Sequence, residues 1–110
     1  MEKFALLYIG GNIPEDLTEE NNVAWGDWLE SLGEKGVLVD GGAPFGSEDK
    51  VVYSVDKVRD FDWDKDSGVS GYTIIQAEDM DAAVDIAMSC PQLPEKYGDG
   101  VVEVHKLAAM

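Results

Sequence analysis

Basic residues are scarce in this 110-residue chain: eight Lys and Arg stand against 23 Asp and Glu, a formal net charge of -15. A field of that sign repels phosphate backbones and anionic lipid, whose binding depends on Lys and Arg, so neither nucleic acid nor a membrane surface is an expected partner. Cysteine is nearly absent, with Cys90 alone, which excludes an intramolecular disulfide and gives no sign of an oxidising compartment. No apolar run approaches the ~18 residues of a membrane-spanning helix. The opening Met1-Glu2-Lys3-Phe4 enters a short apolar run without a basic leader, so a cytoplasmic location is expected. Histidine too is nearly missing, and His105 is the single imidazole.

What is present suits one packed domain over residues 1–110. Apolar residues make up 45% of the chain, enough to build a core, and the length leaves no room for a second one. Phe4 to Ile9 is a short apolar run closed by Gly10-Gly11, which predicts a buried strand. After the turn signal Asn12-Ile13-Pro14, the acids Glu15, Asp16, Glu19 and Glu20 bracket Thr18, as at a helix N-terminus. Trp25, Trp28, Leu29 and Leu32 then recur at helical spacing, and Gly33 and Gly36 mark the stop. Val37-Leu38-Val39 reads as a second strand ended by Asp40-Gly41-Gly42, and Lys50 to Val55 as a third.

The charged stretch from Asp56 to Ser70 reads as a hairpin or a surface loop, and Gly71 to Ala77 as a fourth strand. Asp79 can cap a second helix whose apolar stripe is Met80, Ala83, Val84, Ala87 and Met88, with Pro91 behind it. A final strand from Val101 to Leu107 follows the Gly98-Asp99-Gly100 turn, with Val102 and Val104 on one face and Glu103 and His105 on the other. This order is α+β: a ferredoxin-like βαββαβ arrangement with an inserted strand or hairpin. Two helices cover one face of such a sheet. The other face needs a cover, and pairing with a second copy supplies one, so a homodimer is expected.

Several segments together resemble the YCII-related domain family, in its branch named for an Asp-Gly-Pro-Phe motif. They are Phe-Ala-Leu-Leu-Tyr-Ile-Gly-Gly at 4–11, the helix through Trp25 and Trp28 with Gly36-Val37-Leu38 and Gly42-Ala43-Pro44, and Ser70-Gly71-Tyr72-Thr73-Ile74-Ile75. The helix from Asp81 to Met88 with Cys90-Pro91 belongs to the same set, as does the ending Gly100-Val101-Val102-Glu103-Val104-His105-Lys106-Leu107. The resemblance implies a dimeric α-β barrel, a cleft near the dimer centre, and His and Asp groups suited to acid-base chemistry; a chlorinated-aromatic dehydrochlorinase is similar. The chain departs from the family where Val58-Arg59-Asp60-Phe61-Asp62-Trp63 stands in place of Val-Thr-Asp-Gly-Pro-Phe, and where His105 replaces the terminal Arg.

His105 beside Glu103 can exchange protons near neutral pH, with Asp60 as an orienting carboxylate; the alternative is a structural imidazole and a solvated Asp. Trp25, Tyr72 and Glu103 are the expected walls of a ligand pocket, although helical spacing alone accounts for Trp25 as core. Asp60, Asp62, Asp64 and Asp66 alternate like cation ligands, but Gly68 falls two residues late for a calcium loop and no Glu closes it, so no metal site is expected. No dinucleotide or phosphate-loop fingerprint surrounds the glycine pairs, and no cofactor is expected. Two functions remain open. One is a homodimer whose cleft takes a small molecule and supports cofactor-independent isomerase or lyase chemistry; the other is a non-catalytic protein-interaction module.

Overall fold

The computed structural model describes residues 1–10, 19–46, 48–62, 65–66, 68–93 and 100–108. The expected turn at 12–14, the acids at 15 and 16, Thr18, Trp63, Asp64 and the turn residues Gly98 and Asp99 lie outside the described residues.

β1 (Glu2–Gly10) alternates Phe4, Leu6 and Tyr8 onto one face, all buried, and Ala5, Leu7 and Ile9 onto the other. α1 (Glu19–Glu34) opens with two acids in its first turn, where carboxylates meet the positive end of the helix dipole. It turns Trp28 and Leu32 inward at i and i+4, with Trp25 and Leu29 packed beside them. Its end is a Schellman motif: the Val37 amide donates to the Leu32 carbonyl at 3.1 Å, the Gly36 amide to Gly33 at 3.1 Å, and Gly36 takes φ 74°. Gly33, expected as part of the stop, lies in the last turn of the helix and supplies the carbonyl that accepts from Gly36.

β2 (Leu38–Pro44) runs through the glycine pair instead of ending at it. Asp40 pairs with Ile74 and Ala43 with Tyr72, so Gly41 and Gly42 together oppose Thr73, which is a β-bulge. Gly42 takes φ 67°, which only glycine adopts freely, and its amide donates to Asp40 Oδ1 at 2.8 Å. The local turn chemistry read in Asp40-Gly41-Gly42 is therefore real, but it bends the strand without terminating it.

β3 (Lys50–Ser54) and β4 (Lys57–Asp60) pair with each other as a separate two-stranded sheet, the hairpin form of the insertion. β5 (Val69–Ala77) buries Gly71, Thr73, Ile75 and Ala77 in strict alternation. α2 (Met80–Ala87) is capped by Asp79, whose carboxylate accepts from the Ala82 amide at 2.9 Å. It buries only Ala83 and Ala87, while Met80, Val84 and Met88, expected within the packed stripe, stay exposed. Ala82 and Ile86 pack partly against the core beside Ala83 and Ala87, so the helix meets the sheet through Ala82, Ala83, Ile86 and Ala87.

β6 (Gly100–Lys106) completes a four-stranded sheet of order β2-β5-β1-β6, all neighbours antiparallel. The described residues form an α+β fold, with two helices and an antiparallel sheet whose connectivity is compatible with the ferredoxin-like arrangement. Phe4, Leu6, Tyr8 and Ile75 share one core with Trp28 and Leu32 of α1, Ala83 and Ala87 of α2, and Cys90, so both helices lie on the same face. On the other face the register sets Ala5 opposite His105 and Ile74, and Leu7 opposite Glu103 and Tyr72. No described helix is long and apolar enough to cross a membrane.

Candidate functional site

A cleft of about 260 Å³ opens between α1 and the bulge of β2. Asn22, Trp25 and Leu29 come from α1, Gly41 to Pro44 from the bulged strand, Tyr8 from β1, and Ser70, Tyr72 and Thr73 from β5. The bulge shapes this hollow. Bare glycine backbone forms part of its wall, and a Cβ on Gly42 would land on the Tyr72 carbonyl.

Aromatic contacts stiffen the wall. Trp25 meets Tyr8 edge-on, with ring centroids 4.9 Å apart and planes at 78°, and meets Trp28 at 5.7 Å and 88°. The Trp28 indole in turn donates to Ser89 Oγ at 2.9 Å, which fixes α1 to the chain beyond α2. Phe45 and Tyr72 lie with ring centroids 6.3 Å apart near the outer end of the bulge.

The buried hydroxyls form a relay. Tyr8 donates to Thr73 Oγ1 at 2.6 Å, and Thr73 donates to the Gly41 carbonyl at 3.1 Å. Burial pushes the Tyr8 phenol well above its ordinary range despite the opposing effect of the Thr73 hydrogen bond, so Tyr8 stays a neutral donor rather than a base. Cys90, fully buried, has its thiol pushed up to about 12, again by burial, with a weaker opposing effect from the Gln92 amide. It is no nucleophile.

Of the residues singled out from the sequence, Trp25 and Tyr72 both line the cleft. His105 and Glu103 sit together elsewhere, on the face of the sheet away from the helices, with His105 Nε2 2.9 Å from Glu103 Oε1 and both side chains about half exposed. Asp60 lies on β4 of the hairpin, where its exposed carboxylate pairs with Lys50, whose hydrogen bond and charge lower its pKa. The carboxylate that meets His105 is thus Glu103, while Asp60 is engaged by a lysine in the separate two-stranded sheet.

Asp66 accepts two hydrogen bonds from Arg59, at 2.8 and 2.6 Å, and a third from the Asp62 amide at 2.8 Å. These hold its carboxyl down at about 2, the Arg59 bond contributing most. Asp60 and Asp66 thereby meet cations of the protein itself, and among the described residues no three His, Cys, Asp or Glu side chains converge as metal ligands.

Tyr8, Thr73 and the Gly41–Gly42 bulge are parts of the site that sequence reasoning missed. A glycine pair inside a β-like run is a bulge signal, and Tyr8 is the one hydroxyl-bearing residue in the apolar run of β1. No family model matches this chain, and no curated protein matches it.

Proposed function

We propose that this chain is a homodimeric, cytoplasmic small-molecule-binding domain of the YCII-related kind, with the cleft between α1 and the β2 bulge as its ligand site. The observation that carries the reading is the cleft itself: concave, walled by Trp25, Leu29 and Tyr8, and provided with a few hydroxyls fixed by a buried relay. Support for the dimer comes from the helix-free face of the sheet, where Leu7, Ile9 and Ile74 are only partly covered and Val101 is 55% exposed. A second copy laid on that face would close an α-β barrel and bring two His105–Glu103 pairs toward one seam. At that seam, on the opposite face of the sheet from the cleft, the pair is the proton carrier for cofactor-independent isomerase or lyase chemistry in a second recess shared by the two copies, with Glu103 in the role that the sequence offered to Asp60. It does not act on a ligand held between α1 and the β2 bulge.

Light scattering at micromolar concentration tests the dimer: the expected mass is twice the 12.0 kDa of the chain, with Ile74→Asp monomeric. A metabolite panel read by thermal shift and by amide NMR tests the cleft, with perturbation expected at Gly41, Gly42 and Ala43. A monomer whose cleft amides respond to no metabolite would overturn the reading.

One observation favours the alternative, a non-catalytic interaction module. The β3–β4 hairpin exposes Val52, Tyr53, Val55 and Val58, the pattern of a surface that meets another protein. Capture of a stable partner that is lost when 50–60 is replaced by a short Gly-Ser loop would favour it over the ligand site.

A further inference from the structure

Resting on the reading of the cleft as a ligand site, we infer that its ligand is an uncharged molecule built on a single planar ring, and that carboxylated and phosphorylated analogues are rejected. Three observations carry this, each concerned with what an incoming group would meet.

The first is the absence of a countercharge. Among the described residues lining the cleft there is no Lys, Arg or His, and the polar side chains are hydroxyls and one amide. The Tyr8 and Thr73 hydroxyl protons are already committed, to Thr73 and to the Gly41 carbonyl. A carboxylate or phosphate entering here would shed its water and gain no cation in exchange, a loss that a neutral ring does not suffer.

The second is the state of the bulge. A glycine amide at positive φ in a bulged strand is the kind of donor that binds anions in backbone nests. In this chain the Gly42 amide is occupied: it donates to Asp40 Oδ1 at 2.8 Å, so the place an anion would take already holds the protein's own carboxylate. Asp40 is exposed and adds negative charge beside Gly41 and Gly42 of the cleft wall.

The third is shape. Trp25, held edge-on between Tyr8 and Trp28, faces a cleft whose β2 side is peptide without side chains at Gly41 and Gly42. A fixed indole and a bare peptide surface make a slot for a flat ring. The described part of the cleft encloses about 260 Å³, room for one ring with small substituents.

Three isosteric probes test the inference on the intact chain: benzamide, benzoate and benzamidine, titrated by amide NMR while the Gly41, Gly42 and Ala43 amides and the Trp25 indole are followed. Benzamide is expected to shift these signals at least tenfold more tightly than benzoate. That ratio is expected to persist in about 0.5 M salt, where the long-range field of the chain is screened and the lining remains. Benzamidine, attracted at low salt by the net charge, is expected to fall below benzamide at high salt. Asp40→Asn is expected to strengthen benzoate several-fold while leaving benzamide unchanged.

Benzoate or benzamidine matching benzamide at high salt, or no response of benzoate to Asp40→Asn, would overturn the inference while the ligand site stands. If neither the probes nor any metabolite moves the cleft signals, the ligand site itself fails and this inference with it.

Discussion

The hydroxyl of Tyr8 donates to Thr73 Oγ1 at 2.6 Å across the two central strands, 65 residues apart in sequence. Because Thr73 passes its own proton to the Gly41 carbonyl, one buried threonine ties β1 and β5 to the bulge that shapes the cleft. Removing the two ends of this relay has unequal consequences. Tyr8→Phe deletes one hydrogen bond and leaves Thr73 bonded to Gly41, a cost of about 1 kcal/mol. Thr73→Val strands both the Tyr8 hydroxyl and the Gly41 carbonyl, and should cost about 1–3 kcal/mol. Urea unfolding of both variants checks the order. A Tyr8→Phe chain less stable than Thr73→Val would show that the relay is not what holds the bulge.

Tyr8 and Cys90 also set the behaviour of the protein in alkali. Both are buried acids whose pKa is raised in the folded state, the Cys90 thiol from 9.0 to about 12 and the Tyr8 phenol upward from 10.0. Well below pH 9 both groups are protonated whether the chain is folded or not, and their contribution to stability is fully present. As pH rises above these ordinary values the unfolded chain loses protons that the folded chain retains, so stability falls toward pH 12. Urea midpoints measured from pH 8 to 11 should decline. In Cys90→Ala the decline should begin about one unit later, because only the phenol remains; an unchanged onset would remove the thiol from this account.

The strands and the first helix were legible because their periods are local. Phe4, Leu6 and Tyr8 alternate, Trp25, Trp28, Leu29 and Leu32 recur at helical spacing, and Glu103 and His105 do share a face. The continuation of β2 through Gly41 and Gly42 was not legible. A bulge is defined by its partner, and the partner here is the Tyr72–Thr73–Ile74 stretch of a strand about thirty residues further along. The site divides in the same way. Trp25, Tyr72 and Glu103 were singled out together from residue type, and of these Trp25 and Tyr72 line this cleft while Glu103 does not; Thr73 matters only because Tyr8 and Gly41 meet it. In α2 the apolar stripe gave the helix but not its contact face, since Ala83 and Ala87 pack and Met80 and Met88 do not.

Arg59 and Asp66 join β4 to the segment that follows the hairpin, through paired hydrogen bonds of 2.8 and 2.6 Å. The Asp66 carboxyl is held at about 2, chiefly by Arg59 and next by the Asp62 amide. A lowered carboxyl pKa stabilises the fold above the ordinary carboxylate value, and the contribution is lost as pH falls from near 4 toward 2. Carboxyl carbon NMR should find the Asp66 midpoint near 2. In Arg59→Gln it should rise toward the ordinary range yet remain somewhat depressed, because the Asp62 amide bond persists. A midpoint unmoved by that substitution would mean that Arg59 does not hold the carboxylate in solution.

Gly42 and Gly26 should respond in opposite directions to the same substitution. At Gly42 a methyl group meets the Tyr72 carbonyl and φ is 67°, so alanine must force the bulge apart as well as occupy a disfavoured backbone region. The expected cost is about 1–3 kcal/mol, with loss of the cleft signals at Gly41 and Ala43. Gly26 stands on the exposed side of α1, where an added Cβ meets nothing within 4 Å. Alanine there relieves the entropy that glycine costs a helix and should stabilise by roughly 0.5–1 kcal/mol. Thermal unfolding of the two variants decides between a bulge that requires glycine and a loop that merely contains one. If Gly42→Ala melts as the parent chain does, the backbone of β2 is free to take another path, and the cleft it shapes is not a fixed feature of the fold.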